Sequence, residues 1–133
     1  MKIIVVGAGK TGATLVKSLT EEGHNVTIID QLAQRVESIC NDEDVLGIVG
    51  NGMNYSALSE AGIFDADLMI AVTGSDEQNL LCSLFARKTG NCATIARIRN
   101  PLYITETEFI KEQVGLSMVI NPEFATASAI AEG

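Results

Sequence analysis

Residues 2–12 of this 133-residue chain read KIIVVGAGKTG, and they pass from a run of β-branched residues directly into a glycine-rich turn. The run Lys2–Val6 has the short, apolar composition that is typical of a buried strand. After the turn, Leu15, Val16 and Leu19 recur at the spacing of one helix face. The stretch therefore predicts a strand, a tight turn and a helix in immediate succession.

The same alternation continues along the whole chain. Further strands are predicted at 25–29, 45–49, 68–72, 94–98 and 117–120, with helices at 11–22, 31–40, 54–61, 76–88 and 103–113 and another from Pro122 onward. Helical crossovers between short apolar strands favour a parallel sheet. We therefore expect one α/β domain over residues 1–133, a Rossmann-like, doubly wound sheet of six parallel strands in three α/β/α layers. Because the sequence stops within the last helix, we expect a domain cut from a longer protein.

Composition and charge exclude several classes of protein. With 47% hydrophobic and 20% charged residues, the chain is globular rather than disordered. Nine Lys and Arg against 17 Asp and Glu give a net charge of −8, which disfavours nucleic acid as a partner. The sequence has no uncharged apolar stretch of membrane-spanning length, and because Gly7, Gly9 and Lys10 interrupt the first apolar run, we expect no signal peptide there. Its three cysteines lack CxxC spacing, so we expect reduced thiols in a cytosolic protein.

The glycine-rich turn has the pattern GxGxxG between a strand and a helix. In that context Gly7 permits the tight turn, Gly9 lets a pyrophosphate approach the backbone, and Gly12 allows close packing of helix and strand. Lys10 and Thr11 open the helix, whose unpaired N–H groups attract phosphate. We therefore predict that these five residues bind the phosphates of a nucleotide. GxGxxG alone is weak evidence, and a glycine turn without function is the alternative.

Asp30 at the end of the second strand strengthens the prediction. It follows the last glycine by 18 residues, where a carboxylate can accept both ribose hydroxyls of an adenosine. A carboxylate there repels a 2′-phosphate, and Gln31 and Leu32 supply no cation, so NADP is disfavoured. We expect Arg35, in a polar helix, to be a solvated side chain. Asp30 does not distinguish NAD or NADH from ATP, ADP or AMP, since all carry the same ribose.

Two more strand ends are candidates, because ligands of open α/β sheets bind beyond the carboxyl ends of the strands. After the third strand, Asn51 and Gly52 lie in a Gly-Asn-Gly sequence that could line an adenine or form an ordinary turn. After the fourth strand, Thr73 and Gly74 fall where the backbone would pass the second ribose or a distal phosphate. We include all four residues in the predicted site.

Arg97 and Arg99 bracket the end of the fifth strand, where alternation places them on one side. Both could therefore bind one phosphate, Arg99 slightly more favourably, and a salt bridge to a carboxylate such as Asp76 is the alternative. For Ser75 and Asp76 we expect a helix-capping role. Catalytic machinery is sparse, because His24 is the sole histidine and falls at the opposite, amino end of the sheet. We therefore expect binding without catalysis or metal.

Six motifs together carry a family resemblance: KIIVVGAGKTG, TIID ending at Asp30, GNGMNYSALSEAG (50–62), ADLMIAVTGSDEQN (66–79), ARIRNPLY (96–103) and VINPE (119–123). With them the chain resembles the nucleotide-binding, N-terminal half of RCK (regulator of K⁺ conductance) domains, and within these the TrkA type of peripheral subunit of Trk potassium uptake systems. The combination of AVTxxDExN with ARIRxPxY is the specific part. GxGxxG is shared with every dehydrogenase.

The resemblance implies a function. Members of the family are cytosolic, form homodimers and larger rings beneath an integral-membrane potassium transporter, and bind NAD(H), ATP or ADP to set gating. The matching positions imply phosphate contacts from Gly7, Gly9 and Gly12, ribose contacts from Asp30, adenine contacts from Asn51 and Gly52, and distal-phosphate contacts from Arg97 and Arg99. Many relatives carry an acidic residue or a Gly-Asp-Ala triplet where this chain has Gly-Asn-Gly.

Two alternatives to a regulatory, non-enzymatic domain stay open from the sequence. The chain could be the cofactor domain of an NAD-dependent dehydrogenase that lacks its catalytic half. It could also be a degenerate fold that binds nothing. The ARIRNPLY segment favours regulation, since hydride transfer does not require two arginines at the fifth strand.

Overall fold

The structure, a computed structural model, describes residues 1–90 and 92–120. Its strands are β1 (Lys2–Val6), β2 (Asn25–Asp30), β3 (Leu46–Val49), β4 (Leu68–Ala71), β5 (Ala93–Arg97) and β6 (Met118–Ile120). Its helices are α1 (Lys10–Glu21), α2 (Ala33–Asp42), α3 (Tyr55–Glu60), α4 (Asp76–Gly90), α5 (Pro101–Thr105) and α6 (Thr107–Val114). The helix predicted from Pro122 lies outside the described residues.

The six strands form one sheet in the order β3-β2-β1-β4-β5-β6, and every neighbouring pair is parallel. This confirms the predicted Rossmann-like fold. The strand order reverses at β1, where β2 lies on one side and β4 on the other. A crevice opens at such a point beyond the carboxyl ends of the strands, and the glycine-rich turn that follows β1 lies there.

Apolar side chains on both faces of the sheet hold the layers together. One buried cluster joins β1 and β2 to α1 and α2, and Val16 and Val36 are among its members. A second cluster on the other face includes Leu58 of α3 and Cys82 of α4. A third packs α5 and α6 against β5 and β6. Since both faces are covered, the strands are apolar almost throughout, as expected for parallel sheets.

Helix α2 begins two residues later than predicted. The Asp30 carboxylate accepts a hydrogen bond from the Leu32 N–H at 2.8 Å, which forms a turn directly after β2. Aspartate favours such turns because its side chain competes with the helix for nearby N–H groups. The turn keeps Gln31 and Leu32 out of the helix, which starts at Ala33.

The helix predicted at 103–113 is instead two helices. Asn100 caps α5 by accepting from the Leu102 N–H, and Pro101 occupies its first turn, so the first helix starts earlier than the apolar pattern indicates. Thr105 and Thr107 then donate their hydroxyls back to carbonyls of the preceding turn. Such bonds bend helices, and the break falls between the two threonines.

Candidate functional site

The glycines of the turn have different neighbours. Gly7 has φ +112°, and a Cβ there would lie 2.9 Å from the Thr73 nitrogen. A Cβ on Gly12 would lie 1.7 Å from the Gly7 carbonyl oxygen, far inside contact distance. At Gly9 the closest atom is Arg35 Nη1, at 3.9 Å. Two glycines are therefore required by the fold, whereas Gly9 leaves open space above the turn.

Asp30 is bound to the backbone on both sides of the crevice. One carboxylate oxygen accepts from the Ala8 N–H at 2.7 Å and the other from the Leu32 N–H at 2.8 Å. Each ionised carboxylate oxygen has a further acceptor position. The two bonds orient the carboxylate and leave it able to accept two hydroxyl groups.

A cavity of about 650 Å³ opens at this edge of the sheet. It brings together ten of the twelve predicted site residues: Gly7, Gly9, Lys10, Thr11, Asp30, Asn51, Gly52, Thr73, Gly74 and Arg97. The volume is in the range of small-molecule sites. Gly12 and Arg99 do not line it. Gly12 packs beneath the turn, and Arg99 has an exposed side chain beyond the end of β5.

The amino end of α1 faces the cavity without a capping side chain. Gly9 is the residue at the cap, and it makes no side-chain hydrogen bond. The first turn, which begins with Lys10 and Thr11, has no acidic residue. Since the first N–H groups of a helix have no partner within it, this end carries a partial positive charge and free donors. The arrangement can bind an anion.

Arg97 is the predicted arginine that lines the cavity. Burial lowers its pKa, and the nearby charge of Arg99 lowers it further, while Asp76 acts in the opposite direction. Its Nε is buried and has no hydrogen-bond partner within 1–90 and 92–120. The guanidinium group therefore has a buried donor that an acceptor in the cavity could bind.

Asn79, which the sequence reasoning missed, fixes the backbone on which Thr73 and Arg97 lie. It is fully buried, and its Oδ1 accepts from the Thr73 N–H at 2.8 Å and from the Thr73 hydroxyl at 2.6 Å. Its Nδ2 donates to the carbonyl oxygens of Thr73 at 3.2 Å and Arg97 at 2.8 Å. One side chain thus joins the ends of β4 and β5. The available signal was the recurrence of polar residues at helical spacing, since Asp76, Asn79 and Ser83 share the buried face of α4.

The capping role expected for Asp76 is wrong. Its carboxylate accepts from the backbone N–H groups of Arg99, at 3.0 Å, and Asn100, at 2.6 Å. These residues leave β5 and need partners for their N–H groups, which a buried carboxylate from α4 supplies. Ser75 does cap the helix, since its hydroxyl accepts from the Gln78 N–H. The salt bridge considered for Arg99 is replaced by this contact to its main chain.

The sequence places Arg35 on a solvated helix surface, and the structure adds a position at the cavity. Arg35 is exposed, yet it lines the cavity, and its Nη1 is the atom closest to the open side of Gly9. Because α2 begins at Ala33, its third residue extends back over the turn that follows β1. The turn at Asp30 determines where α2 begins and therefore where Arg35 lies. The spacing of apolar residues in the sequence does not reveal this turn.

The Gly-Asn-Gly segment forms a turn and also lines the cavity. Asn51 Oδ1 accepts from the Met53 N–H at 2.8 Å, as in an Asx turn. A Cβ on Gly52 would meet Val6 at 2.5 Å and the Cys82 sulfur at 3.0 Å. The two interpretations left open by the sequence are therefore compatible, because the same turn brings backbone to the cavity wall.

We expect Cys82 to resist alkylation in the native protein. Its side chain is 1% exposed, and burial raises the pKa of its thiol to about 12, so the reactive thiolate is scarce at neutral pH. Iodoacetamide at pH 8, followed by peptide mass spectrometry, should modify Cys40 before Cys82. In denaturant the two cysteines should react alike. Equal rates in the native protein would show that Cys82, which lines the cavity, is accessible to the reagent.

Within the described part of the chain, no group of three His, Cys, Asp or Glu side chains is placed to hold a metal ion. The same residues contain no helix that is both long and apolar enough to span a membrane. His24 contacts the amino terminus and Glu22, at the end of the sheet opposite the cavity.

Comparisons with known proteins identify the family. The TrkA-N domain family matches residues 3–122. The Trk system potassium uptake protein TrkA homolog of Archaeoglobus fulgidus is 37% identical over 131 residues, which cover 98% of this chain and 30% of that protein. This chain thus spans less than a third of that relative's length.

Several solved structures share this fold. The TrkA-N domain of the inner membrane protein ybaL from Escherichia coli has a TM-score of 0.83 at 23% identity, covering 98% of this chain and 94% of that one. The GsuK channel bound to NAD has a TM-score of 0.76 at 19% identity, covering 90% of this chain and 21% of that one. GsuK bound to ADP has the same score and identity, covering 90% and 31%. The family match, the relative and the shared fold confirm the predicted resemblance: the chain belongs to the TrkA-N domain family.

Proposed function

We propose that this domain binds an adenine nucleotide, NAD(H) or alternatively ATP or ADP, at the carboxyl edge of the sheet. The observation that carries the proposal is the Asp30 carboxylate, held by two backbone N–H groups in a cavity wall next to the uncapped end of α1. An oriented acid beside free helix donors suits a ribose diol followed by a phosphate. The NAD and ADP bound to GsuK, which shares the fold, support the same ligand class.

Each part of the ligand has a candidate partner in the cavity. Asp30 would accept the ribose hydroxyls, and the backbone at Asn51 and Gly52 would lie along the adenine. The N–H groups at Gly9, Lys10 and Thr11, with the Lys10 side chain, would bind the phosphates. Thr73 and Gly74 would contact the distal part of the ligand. Arg97 would bind a distal phosphate, which supplies an acceptor that its Nε lacks among the described residues. Gly12 would contribute by letting α1 pack closely against the turn after β1. Arg99 would add positive charge near the site without contacting the ligand.

The consequence of binding would be regulation. The relatives are named as Trk potassium uptake proteins, so we propose that the nucleotide state of this domain sets the activity of an integral-membrane potassium transporter from its cytoplasmic side. We propose a homodimer or larger ring as the assembly. A ligand changes a conformational equilibrium only through unequal affinity for the two states. ATP against ADP, or NAD against NADH, would provide that inequality through their distal groups.

Calorimetry tests the proposal directly. The domain is titrated in turn with NAD, NADH, ATP and ADP, and the Asp30→Ala variant is titrated with each ligand that binds. Loss of the charge-assisted bonds to the ribose should weaken binding by about 1.5–3 kcal/mol. Asp30→Asn separates binding from folding, because its oxygen still accepts one of the two backbone N–H groups.

The matched control is Glu112→Gln, which removes one exposed carboxylate from α6. It should bind every nucleotide as the parent does. Parent-like affinity in Asp30→Ala would place the ribose elsewhere. Failure of all four nucleotides to bind would favour a fold that binds nothing. Hydride transfer by the full-length protein would favour the dehydrogenase alternative over regulation.

A further inference from the structure

We propose that Arg35 is a phosphate-binding residue of this cavity, acting on the phosphate next to the adenosine ribose. The inference rests on the proposed nucleotide function and adds a contact from α2 that the glycine-rich turn does not provide. Arg35 lines the same cavity as Asp30 and Gly9. Its Nη1 lies 3.9 Å from where a Cβ on Gly9 would be, over the open side of the turn.

The charge of the cavity supports an anion at this point. Its lining contains three cations, Lys10, Arg35 and Arg97, and one carboxylate, Asp30. The whole chain has nine Lys and Arg at a net charge of −8, so a third of its Lys and Arg residues line this one cavity. Lys10 and Arg35 are exposed, and no salt bridge joins either to a carboxylate within 1–90 and 92–120.

The position of Arg35 in α2 is unfavourable without a ligand. It is the third residue of that helix, and the first turn contains no acidic residue. A cation near a helix N-terminus opposes the helix dipole. Two helix N-termini, those of α1 and α2, therefore contribute positive potential where two long cations also lie. A phosphate bound between them would relieve this repulsion, and an arginine can donate two N–H groups to it.

The location of Asp30 indicates which phosphate is involved. Its carboxylate bonds to the Ala8 N–H on one side and the Leu32 N–H on the other, so it lies between the glycine-rich turn and the start of α2. Arg35 extends from α2 back to that turn. If the ribose is bound by Asp30, the first phosphate beyond it lies beside Gly9 and within reach of Arg35. Arg97, on β5, is left for distal groups.

Binding of AMP, ADP, NAD and adenosine to the parent and Arg35→Gln tests the inference. We expect the variant to bind the three phosphate-containing ligands about three- to tenfold more weakly, because a partly exposed charge-assisted bond is lost. Adenosine, which lacks phosphate, should bind both proteins equally. Arg35→Lys should recover part of the affinity, and added salt should narrow the difference. Lys17→Gln on α1 is the control for loss of one exposed charge.

Several results would overturn the inference. An equal loss for adenosine would mean that Arg35 contacts the base or the ribose. NADP is titrated in parallel, and a larger effect on NADP than on NAD would assign Arg35 to a 2′-phosphate. Unchanged affinity for AMP, ADP and NAD, with Asp30→Ala still weakened, would remove Arg35 from the site and leave the proposed function intact. If the parent binds none of these ligands, both proposals fail.

Discussion

Gly12→Ala should destabilise the domain by at least about 3 kcal/mol, since a methyl group in a packed position forces the backbone to move. The added Cβ would lie 1.7 Å from the Gly7 carbonyl oxygen and 2.8 Å from its carbon. Backbone atoms cannot rotate away as a side chain can, so α1 must separate from the end of β1. Thermal unfolding followed by circular dichroism should show a midpoint about 10 °C lower.

Gly9→Ala in the same motif is the matched control. Gly9 has φ −74°, which any residue adopts, and a Cβ there would meet only the flexible end of Arg35, at 3.9 Å. Its unfolding midpoint should stay within about 2 °C of the parent, while a branched residue, as in Gly9→Val, should abolish nucleotide binding by filling the phosphate position. Equal stability of the Gly12→Ala and Gly9→Ala proteins would contradict these roles, in which Gly12 serves packing and Gly9 serves ligand approach.

The fold could be predicted because its determinants are local. Apolar runs such as Lys2–Val6 and Leu68–Ala71 have the composition of strands covered on both faces, and the helices between them imply parallel order. Helix ends were less predictable. The start of α2 depends on a turn made by the Asp30 side chain, and the break between α5 and α6 depends on hydroxyl bonds of two threonines.

The part of the site that is formed by a strand end and the turn that follows it could be predicted from the sequence. Asp30 and the glycines are identified by spacing alone, and the structure brings Asp30, Gly7 and Gly9 to one cavity. Contacts between distant segments were not predictable. Arg35 lines the cavity because the turn made by Asp30 sets where α2 begins, and the Asp76 carboxylate accepts from N–H groups 23 and 24 positions later. Such contacts depend on tertiary packing, which periodicity does not encode.

Asn79→Ala should be the most destabilising substitution on α4, at about 3–5 kcal/mol. It deletes all four hydrogen bonds of a fully buried side chain. The N–H of Thr73 and the carbonyl oxygen of Arg97 would lose their amide partner, and each buried polar group left unpaired costs about 1–3 kcal/mol. A cavity in place of the amide adds to that cost. Chemical denaturation with urea measures the difference.

Ser83→Ala, one turn farther along α4, is the control. It shows whether loss of stability is specific to the hydrogen bonds of Asn79 or follows any loss of a polar group from this helix. Ser83 is as buried as Asn79, but its hydroxyl makes a single bond, to the Asn79 carbonyl oxygen at 2.8 Å. Its loss should cost about 1 kcal/mol or less. Because the Asn79 side chain joins the Thr73 loop to Arg97, its removal should also weaken ADP binding at temperatures where the variant is folded. Ser83→Ala should bind ADP normally. Equal effects of the two substitutions on stability and on binding would mean that the Asn79 side chain does not hold the cavity wall.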